Sequence, residues 1–253
     1  GSLAFPSLKK GKSGGGVVTN NVADAILADD PYPIKVAIAN WSNFAFSCSG
    51  TKRWEDALTK IPFFVHITTN ASETTHFADI VLPAAHQLFE KWGFLNSKQN
   101  LYGYSSLTER MIQPMWDVRQ DETEIPWMLA EKLAEKGFDN LYRYFKEAFA
   151  DPETGKHPED SEEFTVTALK MFTSAFWNSE DSNYGKYGDS LAGWSDYVEK
   201  GVWNTHRFVP GKIRGHFHTE TEKFEFYSET LKKALSAHAE KHSTTVDGVL
   251  AAS

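Results

Sequence analysis

At 253 residues the chain is long enough for one large domain or one and a half, and 41% hydrophobic, 14% aromatic and 24% charged residues argue against overall disorder. A formal net charge of −8 with no basic stripe discourages non-specific nucleic-acid binding. A single cysteine, Cys48, excludes an internal disulfide and any metal cluster assembled from several cysteines of this chain.

Residues 1–20 are rich in Gly, Ser and Lys and read as a mobile lead-in. The opening "GSLAFPSLKKGKSGGG" has no apolar core of a signal peptide, and its Gly-Ser start resembles a cloning scar, so the chain is expected to be cut from a longer one. Gly11-Lys12-Ser13 fails as a phosphate loop, because Pro6 stands where that loop needs its first glycine and no strand precedes it.

From Asn21 the pattern sharpens. "NNVADAILADD" predicts a short helix with an Asn available as N-cap, and "IKVAIA" a strand entered through proline. "TKRWEDALTK" predicts a second helix and "IPFFVHIT" a second strand. "SETTHFA" reads as one helical turn capped by Ser72 with Glu73 in its first turn, and "DIVLP" as a short third strand closed by Pro83. Strand, helix, strand at this spacing is a βαβ unit, so the first two strands should be parallel. Their nearly continuous apolar runs suit strands covered on both faces. The expected class is α/β, with a parallel, Rossmann-like sheet.

Beyond Gly93 the character changes. "GFLNSKQNLYGYSSLTERMIQP" reads as a string of short extended pieces. "DETEIPWMLAEKLAEKG" is an amphipathic helix with Pro126 in its first turn, where a missing N–H is tolerated, and Gly137 at its C-terminal cap. Residues 139–203 read as helical and aromatic, broken by polar loops at 151–161 and 179–190; the acidic run 160–163 suits a helix start. Residues 204–227 read as extended, and "SETLKKALSAHAEKH" as a closing helix from Ser228 before a frayed last dozen residues. The expected organisation is a lead-in at 1–20, a nucleotide-binding α/β domain at 21–138, its helical and extended continuation at 139–242, and a tail at 243–253. If 139–203 is instead a separate interaction element, Trp177, Trp194 and Tyr197 should be exposed.

Ligands of open α/β sheets sit beyond the carboxyl ends of parallel strands. Here those tips are "NWSNFAFSCSG" (40–50) and "TTNASETTHFAD" (68–79), rich in amides and hydroxyls that can pair with the edge of a base or a ribose. The same residues also serve turns and caps. No GxGxxG follows either strand, which disfavours a nicotinamide dinucleotide. Cys48 has no nucleophile signature around it, His216 and His218 lack a carboxylate partner for a metal, and "NAS" at 70–72 matches a glycosylation acceptor frequent by chance. No run of about 18 apolar residues is present, so direct membrane insertion is not expected.

The ordered set "NFAFSCS" (43–49), "WEDAL" (54–58), "IPFFV" (61–65), "SETTHFADIVLPA" (72–84), "EKWG" (90–93), "IQP" (112–114), "RQDE" (119–122) and "TETEKFEFYSETL" (219–231) resembles the molybdopterin oxidoreductases of the dimethyl-sulfoxide-reductase type. Members of that family carry molybdenum or tungsten on two pyranopterin guanine dinucleotides. Trp92 after the Glu-Lys pair and "PYPIK" before the first strand are more similar to its respiratory sulfur- and arsenic-compound reductases than to its nitrate reductases or formate dehydrogenases.

The resemblance implies an internal segment of a catalytic subunit that holds one guanine dinucleotide arm and is inactive alone. Pro83 would let the chain leave the sheet beside that arm. Asn43 matches the family's amide at the first strand tip, Lys91 a basic residue that could meet a phosphate with Glu90 orienting it, and Asp121 an acid able to accept from guanine N1–H and its 2-amino group. Thr68 stands where the family often has Asp at the second tip, Phe44 replaces a proline, one residue is inserted between Pro83 and Glu90, and Thr221-Glu222 replaces Ser-Gly. The family's 4Fe-4S cysteines and metal-ligating side chain would lie upstream, and its C-terminal barrel downstream. Implied partners are the remaining domains of the same subunit and an iron–sulfur electron-transfer subunit, in a periplasmic or membrane-associated prokaryotic complex. The competing reading is a free-standing α/β nucleotide-binding or subunit-interaction module without redox function.

Overall fold

A computed structural model describes residues 19–86, 89–99, 102–206, 219 and 221–251. Gly11-Lys12-Ser13, His216 and His218 lie outside the described residues. The fold divides into two compact units, one drawn from the described parts of 1–37, 43–64 and 210–253 and the other from those of 38–42 and 65–209.

In the first unit helix α1 (Val22–Ala28) packs on α3 (Thr51–Lys60), with the four-residue α2 (Phe44–Ser47) beside it. Ala23, Ile26, Ala45, Trp54, Ala57 and Leu58 form the buried seam, and Phe44 stacks on Trp54 at 5.0 Å. Asn21 occupies the N-cap position of α1 but makes no side-chain cap bond. Instead Asn20 Oδ1 accepts from Arg53 Nη2 (2.8 Å), and Arg53 also pairs with Asp24 (2.9 Å), so the start of α1 is tied to α3 rather than to its own cap. Helix α8 (Glu229–Lys241) starts at Ser228, whose Oγ accepts from Leu231 N–H. The end of the chain, expected to be frayed, forms a short helix α9 (Val246–Ala251) against α8.

Strands β1 (Ala37–Asn40), β2 (Phe64–Thr68) and β3 (Ile80–Pro83) form a three-stranded parallel sheet in the order β1-β2-β3. Val65 pairs with Ile80 and Thr68 with Pro83, so β2 and β3 end together. The α/β class and the parallel sheet stand as expected. Coverage on both faces holds for β2 alone: Ile38, Ile80 and Val81 on the outer strands are exposed. Strand β1 is shorter than its apolar run. The turn before β3 is a 3-10 helix, Glu73–Phe77, with a reciprocal capping box between Ser72 and Thr75.

Residues 93–108 are not scattered extended pieces but an antiparallel hairpin of β4 (Gly93–Gln99) and β5 (Tyr102–Thr108), joined at its far edge by β6 (Val202–Asn204). Helices α4 (Glu124–Glu135), α5 (Asn140–Ala148), α6 (Ser161–Trp177) and α7 (Trp194–Lys200) follow the predicted breaks. Gly137, at φ 87°, ends α4 with its own N–H bonded to Ala134 O and that of Phe138 to Leu133 O. Asp160 caps α6 through the N–H groups of Glu162 and Glu163. Trp177, Leu191, Tyr197 and Trp203 build a buried cluster with Trp194 against it. Those aromatics are core, which removes the argument for a separate exposed interaction element. Of 204–227, the described residues beyond Asn204 carry no strand, only a single bridge at Thr205, a turn and bends.

Candidate cofactor-binding site

Proline lacks the N–H that would continue a ladder, and after Pro83 the chain changes partners. Ala84 N–H donates to Thr68 O (3.0 Å) and Ala85 N–H to Arg119 O (2.9 Å), with Ala84 and Arg119 in a parallel bridge. The exit of β3 is thereby stitched between the tip of β2 and the segment carrying Asp121. Gln120 locks the next stretch: its Oε1 accepts from Trp92 N–H (3.0 Å) and its Nε2 donates to Trp92 O (2.9 Å).

Between these stitches lies a buried set of charges. Lys91 Nζ sits 3.0 Å from Asp121 Oδ1, 2.7 Å from Glu122 Oε2 and 4.1 Å from the ring centroid of Trp41. The Lys91 and Asp121 side chains are 4% and 0% exposed, and that of Glu122 is 52% exposed. One cation facing two carboxylates leaves the triad one negative charge in excess, so its ammonium is already matched. Asp121 Oδ2 is buried and has no hydrogen-bond partner. Burial pushes the Glu122 carboxyl up, Lys91 pulls it back, and the Asp121 charge adds to the rise.

Glu90 does not orient Lys91, contrary to expectation. Its carboxylate accepts from Met115 N–H (2.9 Å) and His86 N–H (2.7 Å), and these two bonds hold its carboxyl below the usual range. Arg110 donates to Glu90 O (3.1 Å) and pairs with Glu124 (2.9 Å), whose other oxygen accepts from Gln120 N–H (2.6 Å). This network pins residues 86, 90, 110, 115, 120 and 124 together.

Above it, at the carboxyl ends of β2 and β3, opens a cleft of about 430 Å³. Thr69 and Asn70 come from the β2 tip, and Pro83, Ala84 and His86 from the exit of β3. Glu90, Val118, Phe89, Ile112, Met115 and Trp116 complete it. Parallel sheets bind ligands at this end.

Of the residues singled out from sequence, Lys91 and Asp121 meet directly. Thr68 ends β2 beside the cleft, its Oγ1 donating to Asn70 O (2.8 Å). Asn43 belongs to the other unit and heads α2, its carbonyl accepting from Ser47 N–H (2.8 Å). Sequence reasoning passed over Trp41, Glu122, the Arg110–Glu124 pair and Trp116. Only the tip sequence "NWSN" flagged the neighbourhood of Trp41. Among the described residues no group of three or more His, Cys, Asp or Glu is placed to hold a metal, and no helix is long and apolar enough to cross a membrane.

No family model matches the chain. It is 50% identical over 252 residues to the arsenate respiratory reductase molybdopterin-containing subunit of Shewanella sp. (strain ANA-3), covering all of this chain and 29% of that protein. To the subunit of the same name from Chrysiogenes arsenatis it is 51% identical over 253 residues, again all of this chain and 30% of the relative. The chain therefore spans about 30% of the length of these relatives. Among solved structures, acetylene hydratase from Pelobacter acetylenicus shares the fold at a TM-score of 0.51 and 16% identity, over 86% of this chain and 25% of that one. With half its residues shared over its whole length with two molybdopterin-containing subunits, the chain is part of a molybdopterin-containing oxidoreductase subunit.

Proposed function

We propose that this chain is the part of a respiratory reductase's catalytic subunit that grips one guanine dinucleotide arm of a molybdenum cofactor, with arsenate as the enzyme's oxidant. The observation that carries the guanine assignment is the buried Asp121 Oδ2 without a donor. Its sister oxygen is held by Lys91, so the carboxylate is fixed with one acceptor oxygen left for the N1–H and 2-amino edge of guanine; because the side chain is 0% exposed, the nucleotide must displace its cover to reach it. The acceptor chemistry of the site thus fits the group. The cleft at the ends of β2 and β3, which Asp121 does not line, falls within the ordinary range of ligand pockets, roughly 300–1,000 Å³.

In this reading Lys91 acts through Asp121, since an ammonium shared by two carboxylates has little charge left for a phosphate. Thr68 adds a hydroxyl contact to the nucleotide. The cofactor, when bound, supplies two-electron oxygen-atom transfer, so that arsenate with two electrons and two protons leaves as arsenite and water. This chain's residues bind and orient the nucleotide end of that group and do no chemistry on the oxyanion. Alone, the chain binds guanine nucleotide weakly and reduces nothing. Its partners are the other domains of the subunit, with a 4Fe-4S cluster among them, and an iron–sulfur electron-transfer subunit in a prokaryotic periplasmic or membrane-associated complex.

The test uses the complete enzyme. Asp121→Asn keeps the size of the side chain but replaces one acceptor by a donor, and is expected to lower the guanine nucleotide released from purified protein on acid hydrolysis. Unchanged nucleotide content overturns the assignment.

A further inference from the structure

We propose that the tip of β1 is a lid over the buried Lys91–Asp121 pair, with Trp41 as its cover and His66 as its latch. The lid governs access to the pair whatever group the pair takes, so it stands or falls apart from the guanine assignment.

Among the described residues the Lys91 ammonium meets Asp121, Glu122 and the Trp41 ring. The two carboxylates belong to a pinned segment. Residues 119–124 are bonded to Ala85, to both backbone groups of Trp92 and to Arg110. Trp41 is placed differently. It follows the last residue of β1, a four-residue strand at the edge of the sheet, and its N–H donates to Ile67 O at 3.2 Å. Short, thinly bonded segments of this kind open locally at the least cost. At 43% exposure the side chain gives up little burial on leaving. Moving Trp41 uncovers the ammonium and leaves the network around residues 119–124 intact.

The closed position is also strained. Trp41 stands in the left-handed region at φ 54°, which a bulky L-residue adopts at a cost. That cost is of the same order as the gain from an indole over an ammonium at 4.1 Å. Because the two nearly offset each other, the closed tip lies close in free energy to one whose backbone has relaxed and whose indole has left Lys91.

A polar group that the ion pair does not use fastens the tip. His66, 1% exposed in the middle of β2, has Nδ1 3.0 Å from Thr75 Oγ1 and bonds through its ring to the Ser42 backbone. Thr75 Oγ1 in turn accepts from Ser72 N–H (2.9 Å), within the capping box of the 3-10 turn. One imidazole thereby ties the residue after Trp41 to the β2–β3 connection. Burying a polar ring in the apolar run of β2 is costly unless its hydrogen bonds are met, and both of its bonds are spent on fastening that tip.

The test uses the complete subunit prepared without cofactor. Acylation of Lys91 by a water-soluble N-hydroxysuccinimide ester is followed by mass spectrometry at rising urea below the unfolding transition, with exposed Lys132 as reference. Hydrogen exchange is followed at the Trp41 amide and in the β2–β3 ladder. A lid keeps Lys91 labelling and Trp41 exchange at constant rates through the series, while exchange in the ladder accelerates with urea. Trp41→Gly removes the indole and suits the left-handed backbone. It should speed Lys91 labelling about 2- to 30-fold, the range of one cation–π contact. Trp41→Phe should retain most of the protection. Thr75→Val should speed Lys91 labelling and Trp41 exchange without changing the ladder, and Thr75→Ser should restore both.

Lys91 labelling that rises with urea in step with the ladder means that the pair opens only when the sheet unfolds, and the lid is wrong; this measurement needs no variant. Unchanged labelling in a folded Trp41→Gly means that another group covers the ammonium, which also overturns it. If Thr75→Val loosens the ladder as much as the tip, His66 is a structural residue of the sheet and the latch falls.

Discussion

An ammonium buried between two carboxylates has given up its hydration and regained it only as ion–ion contact, so the partners depend on one another. Lys91→Met leaves the fully buried Asp121 without its cation and should destabilise the chain by about 3–5 kcal/mol in urea unfolding. Adding Asp121→Asn removes the stranded charge. The double variant should therefore lose less than the two single losses combined, by a coupling of roughly 0.5–3 kcal/mol. Strict additivity would mean that the pair is not coupled. Lys91 and Asp121 stood out in the sequence because both fall in motifs that resemble the family's in order. Their contact was not, because 30 residues separate them and two polar residues that both suit a nucleotide also suit each other. Glu90 taught the same lesson in reverse. A Glu-Lys neighbour pair reads as a local couple, yet successive side chains point apart, and Glu90 found the bare N–H groups of residues 86 and 115 instead.

The helices were the more legible elements, and the reason is local chemistry. The ends of α4 and α6 are written in Pro126, Gly137 and Asp160, each of which acts on the backbone within four residues of itself. The hairpin was less legible. Its sequence offers none of the Gly-containing pairs that announce a two-residue turn between Gln99 and Tyr102, and Gly103 stands two positions too late. Strand β6 pairs with β5 from about a hundred residues away, and no local signal carries that. On the other side of β6 the backbone of Gly188 approaches closely and bridges to Thr205. A Cβ on Gly188 would stand 2.0 Å from Asn204 O and 2.6 Å from the Trp203 ring. Both neighbours are anchored, the ring by its Nε1 bond to Asp189 O (2.7 Å) and the Asn204 backbone by Asp189 Oδ2 (3.0 Å). Gly188→Ala should therefore cost at least the upper part of the roughly 1–3 kcal/mol typical of overpacking. Hydrogen exchange should show the loss first in the β5–β6 ladder. Unchanged protection of Val202–Asn204 would show that the loop gives way without disturbing the strand.

Across the molecule the apolar surface exceeds what single exposed side chains explain. Phe226 is 98% exposed, Trp116 86%, Phe46 73% and Met111 70%, and the outer strands of the parallel sheet are bare on Ile38, Ile80 and Val81. Scattered apolar residues are ordinary on a monomer, but large aromatics at this exposure mark surfaces that meet something. In the relatives this stretch is about 30% of a longer polypeptide, so in the reading proposed here the rest of the subunit supplies the cover. The isolated chain, lacking that cover, should bury these side chains against further copies of itself. The net charge of −8 opposes this at long range but is screened within about 10 Å at 0.1 M salt. Sedimentation velocity should therefore show a weight-average coefficient that rises with protein concentration, and more steeply as salt is added. Phe226→Ser and Phe46→Ser together should flatten that rise without shifting the melting temperature, because neither side chain contributes to a buried core. A chain that stays monomeric at every concentration and salt would mean that these aromatics are not contact surfaces, and the case for a covering partner would have to rest on the sheet edge alone.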